Sequence, residues 1–119
     1  MTEILVIDDS PEDREMLCDL LKQAKPDVRI TACEGGRDGL PQAERQAFDV
    51  VLLDLRLDGE DGLDVLARLR EMRPNLPIVL LTGHDSEQAA AESFVAGAAY
   101  YLPKDDLSVE TLWTAVAAW

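Results

Sequence analysis

Five short apolar stretches alternate with segments of helical periodicity along the chain. Three of the stretches, residues 4–7, 50–53 and 78–81, are continuous and rich in β-branched or aliphatic side chains. Such continuous stretches are typical of strands that are buried on both faces of a parallel sheet. A fourth stretch, residues 28–32, alternates and predicts a half-exposed strand, and a fifth, residues 98–102, gives a weaker strand signal.

Each intervening segment has the features of a helix. Ser10 is an N-cap candidate, and Pro11 and Asp13 stand in the first turn that follows it. Four segments have clear apolar stripes, and they lie between Ser10 and Pro26, Gly62 and Pro74, Asp85 and Gly97, and Leu107 and Trp119. The segment over residues 35–46 has the weakest pattern and contains Pro41, so we expect a short, irregular helix there.

Strand and helix therefore alternate five times, which predicts an α/β fold of the (βα)5 type. Right-handed crossovers place helices on both faces of a five-stranded parallel sheet, so the expected architecture is a three-layer sandwich. The 119 residues contain no linker, repeat or low-complexity segment, and we expect residues 1–119 to form a single domain. The chain could be a whole protein or a domain excised from a larger one.

The charge balance restricts the partners of this domain. The chain has 11 Lys and Arg against 24 Asp and Glu, a net charge of −13. Nucleic acid and anionic membranes both attract clustered basic residues, so direct binding to either is not expected. The apolar runs are shorter than a membrane span, and no secretory signal segment is evident. Cys18 and Cys33 have no metal-binding spacing, and two free thiols favour a cytoplasmic location.

The predicted strands end on polar side chains that could share one site. The first strand runs into Asp8 and Asp9, the third into Asp54, the fourth into Thr82, and Lys104 follows the fifth. Ligand sites of open α/β sheets form outside the carboxyl ends of the strands. Carboxylates that are brought together there repel one another unless a cation is bound, and an all-oxygen cluster suits a hard divalent ion such as Mg²⁺.

These residues also stand in a characteristic order of motifs. The motifs are Val6-Ile7-Asp8-Asp9, Asp54 with Gly62 eight residues later, Thr82-Gly83, and Gly97-Ala98-x-x-Tyr101-Leu102-x-Lys104. Each motif is weak alone, but together they cover the whole chain, and the sequence resembles the receiver domain of two-component response regulators. The resemblance implies a flavodoxin-like fold with strand order 2-1-3-4-5.

The resemblance implies roles for the clustered residues. Asp54 would accept a phosphoryl group from a phosphohistidine of a histidine kinase or histidine phosphotransfer protein. Asp8, Asp9, Asp54 and the backbone carbonyl of Arg56 would bind Mg²⁺, while Lys104 would offset phosphoryl charge. Thr82 would move to the new phosphoryl group and allow Tyr101 to rotate inward.

The implied switch would alter the face formed by the fourth helix, fifth strand and fifth helix. A downstream effector, an output domain or a second copy of the chain would bind there, and the protein would not be an enzyme beyond its own phosphorylation and dephosphorylation. Trp113 and the apolar end of the last helix form a candidate partner surface. The parent protein could be a response regulator or a hybrid sensor kinase.

Two other functions remain open on the sequence. A phosphohydrolase of the haloacid dehalogenase type also uses an Asp at a strand end with Mg²⁺, but it needs a second Asp two residues later, where Arg56 and Ser10 stand here. The other alternative is a receiver-like interaction module that is never phosphorylated. Three further positions, Asp58, His84 and Asp105, depart from the common family pattern, and with Arg56 they leave the phosphoryl lifetime and the geometry of the Lys104–Asp105 peptide unpredicted.

Overall fold

The protein is built on one parallel β-sheet with helices on both faces. The computed structural model describes residues 2–57, 59–82 and 100–118. The five strands of the sheet are β1 (Glu3–Ile7), β2 (Arg29–Cys33), β3 (Val50–Asp54), β4 (Ile78–Thr82) and β5 (Tyr100–Pro103). They pair in the order β2-β1-β3-β4-β5, and every pairing is parallel. The predicted fold class and strand order are confirmed.

Four described helices cover the sheet. They are α1 (Pro11–Ala24), α2 (Gly36–Arg45), α3 (Gly62–Met72) and the C-terminal helix (Val109–Ala117). One buried cluster joins α2 and α3 to the sheet through Ala43, Leu66 and Leu69. A second cluster joins α1 and the C-terminal helix to the opposite face, where Leu21 and Leu112 are fully buried. The sheet is therefore the middle of three layers, as its continuous apolar strands predict.

Helix α2 is more regular than the sequence predicts. It is a continuous α-helix with Pro41 inside it, so the expectation of an irregular helix is wrong. Proline removes only one N–H donor from the helix, while the bonds from Gly39 N to Gly35 O (2.9 Å) and from Gln46 N to Gln42 O (3.0 Å) stand on either side. The helix also buries Gly39 against the sheet, and this packing favours the helical conformation despite the proline.

A small hairpin between β3 and α3 is a described element that the sequence analysis missed, as is the short 3-10 helix Lys104–Asp106 after β5. Residues Arg56–Leu57 pair antiparallel with Glu60–Asp61, and Gly59 has a φ of 72°. A positive φ is readily adopted by glycine and rarely by other residues. The predicted helix over residues 85–97, and the first two residues of the predicted fifth strand, lie outside the described part of the chain.

Gly62 allows α3 to begin close to the backbone that follows β3. A Cβ at this position would overlap the backbone of Leu55, which cannot move aside as a side chain could. We therefore expect Gly62→Ala to lower the free energy of unfolding by about 2 kcal/mol, as overpacking does elsewhere. Urea denaturation measures this change, and a variant as stable as the wild type would contradict the close packing.

None of the helices among the described residues combines the length and the hydropathy that crossing a bilayer requires.

Candidate functional site

Four polar side chains lie at the carboxyl edge of the sheet. Asp8 follows β1, Asp54 and Thr82 are the last residues of β3 and β4, and Lys104 follows β5. The side chains of Asp8, Asp54 and Thr82 are buried although they are polar. The parallel register explains their proximity, because Ile7 stands opposite Leu53 and each strand delivers its next residue to the same rim.

Lys104 binds three carboxylates at once. Its Nζ lies 2.8 Å from Asp8 Oδ2, 3.0 Å from Asp54 Oδ2 and 2.7 Å from Asp13 Oδ2. An ammonium group has three N–H donors, so these three bonds use its full donor capacity. Lys104 therefore offsets the negative charge of these three carboxylates.

A group of three carboxylates at the same edge could hold a metal ion. Carboxylate oxygens of Asp8, Asp9 and Asp54 all lie within 4.8 Å of one another. Oxygen donors in this number fit a hard divalent cation that keeps some of its waters. The structure thus brings together the three carboxylates among the four metal ligands that the resemblance implies.

Backbone contacts fix the orientation of the two buried carboxylates. Ser10 N donates to Asp8 Oδ1 at 2.9 Å, and Arg56 N donates to Asp54 Oδ1 at 3.1 Å. Arg14 adds a third contact, since its Nη1 donates to the backbone oxygen of Asp8 at 2.7 Å. Each carboxylate keeps its other oxygen for Lys104, so the loops that follow β1 and β3 orient these side chains before any ligand arrives.

The surroundings change the acidity of the site. Burial raises the pKa of Asp54 to about 6, and the nearby charge of Asp8 adds to the increase, while the bonds from Arg56 and Lys104 oppose it. Burial alone would lower the pKa of Lys104, but its bonds to Asp13 and Asp8 and the charge of Asp54 hold that pKa above its usual value. Lys104 is therefore charged at neutral pH. The ionised form of Asp54 is destabilised by its buried position.

Thr82 and Tyr101 contact each other directly. Thr82 Oγ1 donates to the Tyr101 hydroxyl at 2.8 Å, and Tyr101 is half-buried against the cluster under α2 and α3. The Thr82 hydroxyl has a single O–H donor, so it cannot donate to Tyr101 and to a group at Asp54 at the same time. A change at the buried edge would therefore reach a side chain that lies near the surface.

Besides Arg14, two residues of the site were not recognised from the sequence. The sequence identifies Asp13 only as an acid in the first turn of α1. Because α1 begins shortly after β1 ends, this turn also lies at the carboxyl edge of the sheet. Glu60 is the other, because its Oε1 accepts a 2.9 Å bond from Gly36 N. Glu60 thereby links the hairpin that follows Asp54 to the first turn of α2, whose N-cap Gly35 has no side chain to do so.

The positions that depart from the common family pattern are only partly within the described residues. No cis peptide bond occurs in the described ranges, so the Lys104–Asp105 peptide is trans. Arg56 contacts Asp54 through its backbone N–H, and its side chain is exposed. Asp58 and His84 lie outside the described residues.

The sequence matches one family model over nearly its whole length. That model describes the response regulator receiver domain and matches residues 4–117. Among curated proteins, the chain is 40% identical over 101 residues to the transcriptional activator protein PfeR of Pseudomonas aeruginosa. The match covers 85% of this chain and 32% of PfeR, so the chain spans about a third of the length of that relative.

Solved structures with the same fold extend the comparison. The chemotaxis protein CheY4 of Vibrio cholerae is 27% identical, with a TM-score of 0.89 over 99% of this chain and 98% of CheY4. A response regulator protein of Burkholderia pseudomallei is 28% identical, with a TM-score of 0.88 over 98% of this chain and 66% of that protein. The second structure contains a phosphorylated aspartic acid and a calcium ion.

Proposed function

Since this chain belongs to the response regulator receiver domain family, we propose that it acts as a phosphorylation-dependent signalling switch with Asp54 as the phosphoacceptor. The observation that carries this proposal is the position of Asp54: it is buried at the carboxyl edge of the sheet and held 3.0 Å from Lys104 Nζ beside two further carboxylates. A carboxylate is a competent nucleophile for phosphoryl transfer and forms an aspartyl phosphate.

Mg²⁺ is the proposed cofactor. Asp8, Asp9 and Asp54 would hold it, together with the backbone carbonyl of Arg56, and the three carboxylates offer the oxygen donors that this ion prefers. When bound, Mg²⁺ offsets negative charge on the phosphoryl oxygens. Its binding would also relieve the repulsion among the carboxylates, a repulsion that Lys104 alone offsets only in part.

The chain's own residues would position the reaction. Asp54 Oδ1 is fixed by the Arg56 N–H, and Lys104 stands beside Oδ2, where it can contact an incoming phosphoryl oxygen. During transfer, an Asp54 oxygen forms a bond to phosphorus while the bond to the donor's leaving nitrogen breaks with its electron pair. Positioning and charge supply most of the catalysis in such loose transition states.

The output would begin at Thr82. When its hydroxyl turns to the phosphoryl group, the 2.8 Å bond to Tyr101 breaks and the tyrosine is released to take a second position. Phosphorylation would then bias an equilibrium between two arrangements of the surface around β5 and the C-terminal helix. The surface would bind an effector, an output domain or a second copy of the chain.

The wider setting is proposed on the same basis. A histidine kinase or histidine phosphotransfer protein would supply the phosphoryl group, and residues 1–119 would form one receiver domain that passes the signal on. The net charge of −13 supports a domain that does not itself bind nucleic acid. Cys18 and Cys33 are free thiols, which is consistent with a reducing cytoplasm.

Tryptophan fluorescence tests the proposed function. Trp113 lies on the C-terminal helix and packs against the core, so it reports on the face expected to change. Adding beryllofluoride, which takes the place of a phosphoryl group on a carboxylate, should change the fluorescence only when Mg²⁺ is present. Phosphate release from unrelated monoesters would instead indicate a hydrolase, and failure to bind Mg²⁺ would leave an interaction module.

A further inference from the structure

Asp13 is the closest partner of Lys104, and the proposed reaction assigns it no role. The three carboxylates around Lys104 use all its N–H donors, so the ammonium cannot reach a phosphoryl oxygen without giving up one of them. Which partner gives way decides how readily Lys104 serves the phosphoryl group.

The carboxylate of Asp13 is not needed to cap α1. Ser10 is the N-cap, and Ser10 Oγ accepts from Asp13 N at 3.3 Å. In a reciprocal capping box the Asp13 side chain would bind Ser10 N. Here Ser10 N donates to Asp8 Oδ1 instead, at 2.9 Å. The Asp13 carboxylate is therefore directed to Lys104.

Asp13 also differs from the other two partners in exposure. Its side chain is 36% exposed, whereas those of Asp8 and Asp54 are 0% and 5% exposed. Asp13 is also outside the group of carboxylates that could hold a metal ion. In the unphosphorylated site, separating Lys104 from Asp13 leaves a charge that water can solvate, whereas separation from Asp8 or Asp54 would leave a buried charge unpaired.

We propose that Asp13 is a positioning residue that restrains Lys104 and competes with the phosphoryl group for its ammonium. This inference rests on the proposed function, since it concerns the same phosphorylation site. The restraint has two opposite consequences. The negative charge of Asp13 offsets Lys104 and so favours Mg²⁺, while the bond between the two side chains disfavours the transfer of Lys104 to an anionic phosphoryl group.

Asp13→Asn should separate these two consequences. We expect the dissociation constant for Mg²⁺ to rise about three- to tenfold, and the dissociation constant for beryllofluoride at saturating Mg²⁺ to fall by a similar factor, as for a partly exposed charge beside the site. Phosphorylation by phosphoramidate should accelerate in the same variant. In that reaction Asp54 forms the O–P bond, and the P–N bond breaks with release of ammonia.

Two matched variants make the measurement specific. Glu12→Gln removes the same charge from the neighbouring, exposed position in the first turn of α1, and should leave both constants within about twofold of the wild type. Asp13→Glu keeps the carboxylate and should restore at least part of the wild-type behaviour. An effect of opposite sign on the two ligands, seen in Asp13→Asn alone, would support the restraint.

Other outcomes would overturn it. If Asp13→Asn weakens both ligands, the residue is merely structural, and if it changes neither, Lys104 does not depend on it. If Glu12→Gln has the same effect as Asp13→Asn, general charge at the helix end is responsible. Failure of the proposed function itself would look different, because wild-type protein would then show no Mg²⁺-dependent binding of beryllofluoride at all.

Discussion

Asp54→Asn should abolish phosphorylation by small phosphodonors and the Mg²⁺-dependent response to beryllofluoride. The amide has nearly the shape of the carboxylate, but it lacks the nucleophilic oxygen and the negative charge. Because Asp54 is the proposed phosphoacceptor, buried 3.0 Å from Lys104 Nζ, its replacement removes the nucleophile from the site. Intact mass after incubation with phosphoramidate measures the loss.

The same variant should be more stable than the wild type when no metal is present. Since burial raises the pKa of Asp54 to about 6 in the folded protein, its ionisation opposes folding. The free energy of unfolding of the wild type therefore falls as the pH rises from about 4 to about 6. The variant has no carboxyl group at position 54 and does not show this contribution to the fall. We expect a gain of about 2 kcal/mol in the free energy of unfolding at pH 7.5.

Urea unfolding at pH 5 and pH 7.5, with a chelator present, distinguishes the two proteins. Asp27→Asn is a suitable control because Asp27 is an exposed aspartate in the loop between α1 and β2. A variant that still becomes phosphorylated would refute the assignment of Asp54. A variant that is less stable than the wild type at pH 7.5 would show that the buried carboxylate supports the fold.

Lys104→Met should produce the largest loss of stability in the site. The methionine keeps most of the apolar length of lysine, but Asp8 and Asp54 lose the cation that they share in a buried position. Removing one partner of a buried ion pair typically costs about 3–5 kcal/mol, because the remaining charge is left uncompensated. We expect a loss of this size without metal, and a partial recovery when Mg²⁺ is added.

Lys22→Met provides the comparison for this variant. Lys22 is exposed in the last turn of α1, so its loss should cost well under 1 kcal/mol. Thermal unfolding with and without Mg²⁺ measures both variants. Equal stability of Lys104→Met and the wild type would contradict a central charge-balancing role, and a loss that Mg²⁺ does not reduce would contradict a shared cation site.

The sequence predicts the sheet well because its strands are buried on both faces. Residues 4–7, 50–53 and 78–81 are continuously apolar, and each is followed by a polar residue at the edge where parallel strands end together. The convergence of Asp8, Asp54 and Lys104 follows from that topology. Their separation in sequence is irrelevant once the strand order is known.

Contacts that depend on rotamers or on irregular loops could not be predicted in the same way. By its sequence Asp13 resembles any other acid in the first turn of a helix, and its bond to Lys104 depends on side-chain conformations that the sequence does not reveal. The bond between Glu60 and Gly36 depends on the hairpin geometry between β3 and α3. Helix α2 shows the limit of propensity, because burial of its small residues outweighs the cost of Pro41.

The site of phosphorylation is the most direct test of the account. After incubation with phosphoramidate and Mg²⁺, borohydride reduces an aspartyl phosphate to homoserine, and peptide mass spectrometry locates the modified residue. We expect homoserine at position 54 alone, and none when Mg²⁺ is removed by a chelator. Modification at Asp8, Asp9 or any other residue, or none in folded protein that binds Mg²⁺, would contradict it.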